Sequence, residues 1–161
     1  MEIDINWAAI GAGTVASMVL GMIWYNPKVF GTAWMRESGM TEEKMKGANM
    51  VKIFGLSLVF AAMLSVLLMQ LTIHQFGAAG MIGGDPETAL PSFDAFMADY
   101  GNAFRTYKHG ALHGTMFGIF GALPILGTIA LFERKSAKYI FINSGYWIVT
   151  LGVMGAILCG L

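Results

Sequence analysis

The stretch IFGLSLVFAAMLSVLLMQLTIHQFGAAGMIGG, residues 53–84, carries no Asp, Glu, Lys or Arg over its whole length. A helix needs roughly 20 apolar residues, at about 1.5 Å of rise each, to cross the hydrocarbon core of a bilayer. Leu, Ile, Phe and Val each favour insertion at a helix centre by about 0.3 to 0.6 kcal/mol, whereas a central charge costs about 3. A run this apolar is read as a membrane helix. Outward from it, three more charge-free runs occupy residues 5–27, 109–132 and 139–161.

The composition agrees with lipid as the solvent. Of the 161 residues, 56% are hydrophobic and 12% charged, and the mean hydropathy is +0.62; a soluble domain carries about 25% charged residues. The expected fold is all-α, a single membrane domain over residues 1–161 with four transmembrane helices near 7–25, 51–76, 110–132 and 139–161. A signal peptide is not expected at the start. Glu2 and Asp4 stand where a secretory leader carries Lys or Arg, and bulky Trp24, Tyr25 and Pro27 stand where a cleavage site needs small residues.

The charges are sorted by side. With four spans, the connections 26–52 and 133–138 share one side, with Lys28, Arg36, Lys44, Lys46, Lys52, Arg134, Lys135 and Lys138 against Glu37, Glu42, Glu43 and Glu133, a net of +4. The other side holds Arg105 and Lys108 against Glu2, Asp4, Asp85, Glu87, Asp94 and Asp99, a net of −4. The positive-inside rule then places both termini outward in a bacterial cytoplasmic membrane. The basic face suits anionic headgroups, and nothing points to nucleic acid.

The connections carry their own helix signals. Asn26 is placed to cap, and Pro27 to begin, a short helix over 27–37 on the inner surface, with Phe30 and Trp34 on one face and Gly39 as its stop. Trp24, Tyr25, Asn26, Pro27, Phe30 and Trp34 are accordingly interfacial anchors. Thr41 is placed to cap a helix that runs on into the second span, with Gly47 its weak point. Outside, the Gly-rich segment 77–91 reads as irregular. Phe93, Phe96, Tyr100, Phe104 and Tyr107 then recur at spacings of three and four, the pattern of an interfacial helix over 92–107 capped by Ser92.

Helices in lipid associate where small residues permit close approach. Such stripes run along the first span (Ala9, Gly13, Ser17, Gly21), the third (Gly110, Gly114, Gly118, Gly121) and the fourth (Gly145, Gly152, Ala156), and Pro124 is expected to kink the third. Opposite the small face of the fourth span lie Asn143, Tyr146 and Thr150, a polar face suited to interhelical hydrogen bonds or to a path.

The chemistry-bearing residues are few. Between their charged ends the spans hold no Asp, Glu, Lys or Arg, which counts against pumps and proton-coupled carriers. The common catalytic motifs are missing as well, so nothing argues for an enzyme. The single cysteine, Cys159, reads as a small apolar residue. All three histidines, His74, His109 and His113, fall on the outer side. His109 and His113 are four apart on one helix face, a spacing that can chelate a transition metal, with Asp94 or Asp99 available to complete the set.

The segments GMIWYNPKVFGTAWM (residues 21–35), HGALHG (109–114) and LFERKSAKYIFINSGYWIV (131–149) together resemble an uncharacterised family of small bacterial four-span membrane proteins. Its mark is a Trp-Tyr-x-Pro-x-x-Phe-Gly-x-x-Trp segment, here Trp24, Tyr25, Pro27, Phe30, Gly31 and Trp34. The resemblance implies a single four-span domain and brings no reaction or ligand. The expectation is therefore a non-enzymatic membrane protein without a resident cofactor, in contact with lipid, self-associating or serving as a subunit of a larger complex through its small-residue stripes. A small-molecule or ion conduit along the polar face is the alternative. A metal-binding or pH-responsive site at the outer histidines is the second.

Overall fold

The computed structural model describes residues 5–161; Glu2 and Asp4, counted above, lie outside them. All regular structure among the described residues is helical. Four helices are long and apolar enough to cross a membrane: Trp7–Trp24, Met50–Thr72, Tyr107–Phe132 and Ala137–Gly160. The four charge-free runs contain them almost entirely: a helix satisfies its own backbone, and without charged side chains its outer surface can be apolar throughout.

Local chemistry sets the helix starts. Asn6 accepts from the Ala9 amide to cap α1 (Trp7–Trp24), and Asn26 accepts from the Lys28 amide ahead of a wide π turn over Pro27–Gly31. In that turn the Gly31 amide reaches back to the Asn26 carbonyl, and Gly31 packs so closely that a β-carbon would strike the Tyr25 carbonyl. The chain continues as α2 (Thr32–Ser38), which ends at Gly39 in the left-handed conformation, φ 73°. Only glycine adopts that geometry freely.

Three expectations for the connections are corrected. The helix capped by Thr41 is one short piece, α3 (Glu42–Lys46); it stops at Gly47, and Asn49 caps a fresh helix, α4 (Met50–Thr72). The second span thus ends at Thr72. Ile73 is extended and buried, and the chain re-enters α5 (Gln75–Met81) where an irregular loop was expected. Pro91, at the first helical position, starts α6 (Pro91–Tyr100) in place of a Ser92 cap. This helix ends seven residues short of Tyr107, because Phe104 takes a left-handed backbone, φ 62°, and Thr106 caps the next helix through the His109 amide. The aromatic periodicity continued across a break made by the backbone.

The third span is α7 (Tyr107–Phe117) and α8 (Leu123–Phe132) joined by a π turn over Gly118–Ala122. The turn lies just before Pro124, which lacks the amide an α-helix would require there. The last span, α9 (Ala137–Gly160), is capped by Ser136 and packs against every other long helix.

The core lies toward one end. Ala9, Ile10, Leu68, Met69, Leu151, Met154 and Leu158 pack together there, and α4 has no buried residue before Ala61. The first three turns of α4 stand away from α1 and α9, leaving a groove of about 620 Å³ whose lining includes Ser17, Tyr25, Trp34, Ser57, Asn143 and Tyr146. The bundle is closed at its histidine end and open at its basic end.

Candidate metal centre

The closed end gathers the three histidines. His109 and His113 project from one face of α7, and His74 arrives from the turn after α4. The ring centroids of His74 lie 4.8 Å from His109 and 4.9 Å from His113, and those of His109 and His113 are 4.4 Å apart. Nε2 of His74 and Nε2 of His109 are 2.9 Å apart, and one ligand nitrogen from each of the three falls within 4.8 Å of the others.

The placement of His74 follows from its neighbours. Buried Ile73 anchors the end of α4 in the core. Gln75 is also buried, and its Nε2 donates to the Tyr100 and Ala103 carbonyls at 2.9 and 3.0 Å, so the start of α5 is fastened to the turn that follows α6. That turn stacks the Phe104 ring on His109, centroids 5.1 Å apart and planes inclined by 29°, and sets it edge-on to His74 at 6.2 Å. Phe104 holds a conformation that costs roughly 1–2 kcal/mol for a residue with a β-carbon. Its carbonyl accepts from the Thr106 amide and lies 3.4 Å from the Cys159 sulfur. Neither Phe104 nor Gln75 was legible as a site residue: no local pattern marks a left-handed phenylalanine or a glutamine that ties two loops.

Asp94 and Asp99 are exposed on α6 and do not join the histidines. His74 is exposed and the other two half-buried, so the cluster faces outside while Phe104 covers one side. Three imidazoles this close bring together three nitrogen donors, the ligand type a borderline transition metal takes.

The remaining sequence-marked residues divide by element. In α1, Ala9, Gly13 and Ser17 are buried; a β-carbon on Gly13 would meet Ser65 of α4 and Leu158 of α9, and one on Gly21 would meet the Tyr146 hydroxyl. Gly110 and Gly114 lie directly on the backbone of α9 at Gly155 and Leu151, and Gly118 on Ile148. Gly121 differs: its neighbour is Phe117 of its own helix, because the π turn carries it off the face. On α9, Gly145 meets the Trp24 ring and Gly152 the Thr115 hydroxyl, while Ala156 is half-buried. Gly155, not singled out from the sequence, makes the closest approach, against the Gly110 carbonyl.

The anchor residues bind inward as well as sitting at a helix end. Trp24 donates to the Ile142 carbonyl at 3.0 Å and stacks near Phe30, ring centroids 4.5 Å apart. Tyr25 donates to Asn143 Oδ1 at 3.0 Å and meets Trp34 edge-on at 5.6 Å. Of the polar face, Asn143 thus pairs with Tyr25, and Tyr146 donates to the Ser17 carbonyl at 2.9 Å. Thr150 is fully buried. Between this face and the histidines lie the buried side chains of Leu151, Met154 and Leu158, with Leu68 and Met69 of α4.

Residues 8–159 match a family model described as a protein of unknown function (DUF1761). No curated protein and no solved structure matches the chain.

Proposed function

The chain belongs to the DUF1761 family, whose description carries no activity, and from that premise we propose a multi-pass protein of the bacterial cytoplasmic membrane that holds a transition-metal ion at the outward end of its bundle. The observation that carries the reading is the convergence of His74, from beyond the second span, on the His109/His113 pair 35 residues later. An i,i+4 pair alone is common on helices. A third imidazole delivered by a separate element, and covered by an aromatic ring on a strained backbone, is not a by-product of helix periodicity.

Zinc bound by imidazole sits about 2.0–2.1 Å from nitrogen in a tetrahedral arrangement. Three nitrogen ligands favour Zn²⁺, Cu²⁺ or Ni²⁺ over Mg²⁺ or Ca²⁺, which prefer oxygen, and leave a coordination position open for water or a small ligand. Support for the membrane setting comes from the four apolar helices and the sorted charge; the same charge bias turns the histidine end and both termini outward.

Two other readings draw less support. The small-residue stripes of α1, α7 and α9 close on one another within the chain, so self-association or docking into a larger complex has to use the exposed apolar flanks. A conduit from the polar face to the histidines meets the packed Leu and Met layer.

Metal analysis of protein extracted in mild detergent without chelator tests the proposal. About one transition-metal ion per chain is expected, and the His109→Ala, His113→Ala double variant should lose it. Binding to the folded state alone stabilises by about 2.7 kcal/mol at a hundredfold excess over Kd, so added Zn²⁺, Cu²⁺ or Ni²⁺ should raise Tm in wild type only. Metal-free protein whose Tm ignores all three ions would overturn the reading.

A further inference from the structure

The groove at the basic end is the second feature that calls for an occupant, and we infer that it binds one phospholipid with an anionic headgroup. The inference rests on the membrane setting proposed above and is independent of the metal. A volume of about 620 Å³ falls within the range of roughly 300–1,000 Å³ typical of ligand sites, which are mostly apolar with a few placed polar groups. The lining fits that description, apolar for the most part with a few polar side chains among it.

Tyr25 and Asn143 lie at the end of the groove where α1 finishes and α9 has just begun, joined by their hydrogen bond and flanked by Trp34. Deeper in, Met18, Phe60 and Ala61 line it, and the Ser17 hydroxyl there is already engaged by the Thr14 carbonyl of its own helix. A glycerol ester region fits the first level and an acyl chain the second. Outside the mouth, Lys52 is exposed on α4 beside the lining residues Met50 and Ile53, and Lys28 on the turn between Tyr25 and Trp34, while Lys44 and Lys46 are exposed on α3. Of the nearby acids, Glu37 is engaged by Arg36 and Ser136, and Glu42 and Glu43 offset Lys44 and Lys46 on α3, which leaves Lys28 and Lys52. The charge that remains favours a negative headgroup over a zwitterionic one.

This also settles which aromatics of the Trp24–Trp34 segment face the groove. Tyr25 and Trp34 line it, whereas Trp24 is turned away onto Gly145 and Phe30.

The test is quenching of tryptophan fluorescence by lipid brominated on its acyl chains. The Trp7→Phe variant removes the exposed tryptophan at the other end of α1 and leaves Trp24, Trp34 and Trp147 as reporters. It is reconstituted into phosphatidylcholine vesicles containing a minor fraction of brominated phosphatidylglycerol or, in parallel, of brominated phosphatidylcholine. The anionic lipid should quench more strongly. Adding Ser57→Phe, which fills the groove from α4, should abolish the excess, and adding Lys52→Gln, which leaves packing alone, should reduce the preference roughly fivefold.

Equal quenching by the two lipids, or an excess that survives Ser57→Phe, would overturn the site. So would a dimer in native mass spectrometry that Ser57→Phe abolishes, since a second copy would then be the occupant. Protein that fails to float with the vesicles would remove the membrane setting and the lipid site with it, whereas flotation without preference removes the site alone.

Discussion

At the scale of single residues, glycine decides how near the helices come. A β-carbon on Gly114 would collide with the Leu151 carbonyl, whereas one on Gly55 would meet nothing within 4 Å. Gly114→Ala should therefore lower stability in detergent by about 1–3 kcal/mol through overpacking. Gly55→Ala, which only improves helix propensity, should cause no loss. Thermal unfolding followed by circular dichroism separates the two, and equal Tm values would show that α7 does not need to touch the α9 backbone. His113→Ala, with its ring at a half-open surface, should leave the metal-free stability within about 0.5 kcal/mol of wild type. These positions were legible because spacing of four marks one helix face. Gly155 escaped notice because it stands about 100° from Ala156 on a helix wheel, and the crossing of α7 over α9, which the sequence does not state, selects it.

At the scale of elements, the ends of helices hold the connections in place. The Ser136 hydroxyl accepts from the Tyr139 amide to cap α9 and donates to Glu37 Oε2 at 2.7 Å, so α2 is clasped to the start of the last span, and Lys135 Nζ adds a bond to the Ser38 carbonyl at 3.2 Å. Ser136 and the adjacent Arg36 hold the Glu37 carboxyl below the usual carboxylate range. A carboxyl whose native pKa is depressed contributes above its unfolded value and loses that contribution as pH falls through the native one. Protection of the α2 amides in hydrogen exchange should hold at neutral pH and decline on acidification below the ordinary carboxylate range. Ser136→Ala should cost about 1 kcal/mol as a lost cap and should remove that acid step; a step unchanged in the variant would place its origin elsewhere. Caps such as Asn26, Thr41 and Gly39 were legible because their chemistry is local. Gly47 was legible as a weak point but not as a full stop, and the break around Phe104 was not legible, since aromatic periodicity ran straight through it.

At the scale of the whole molecule, the four spans were legible from the absence of charge alone, and the groove was not. Its existence depends on the first turns of α4 standing away from their neighbours, a property of crossing geometry that leaves no trace in hydropathy. The histidine cluster is intermediate: the placing of all three at one end of the bundle and the α7 pair could be read, while the approach of His74 depends on where α4 stops. The two halves of the third span raise a matter of register. From Gly118 to Ala130 is twelve residues, which in an unbroken α-helix would set the two about 120° apart around the axis. Yet Gly118 and Ala130 are both buried, and Gly127, buried too, faces Ile140 of α9. The turn in which the Leu123 amide bonds back to the Gly118 carbonyl, five residues away, absorbs one residue and reduces the offset to about 20°. It acts as a phase correction, keeping one face of a long helix aimed at one partner across a proline. Deleting Phe120, which is largely exposed, removes the extra residue: Gly118 and Ala130 would then stand eleven residues apart in a regular α-helix, still about 20° apart, so the shortened chain should keep both its helix content and the packing of α8 on α9, and a large fall in Tm would show that the turn does more than correct the phase.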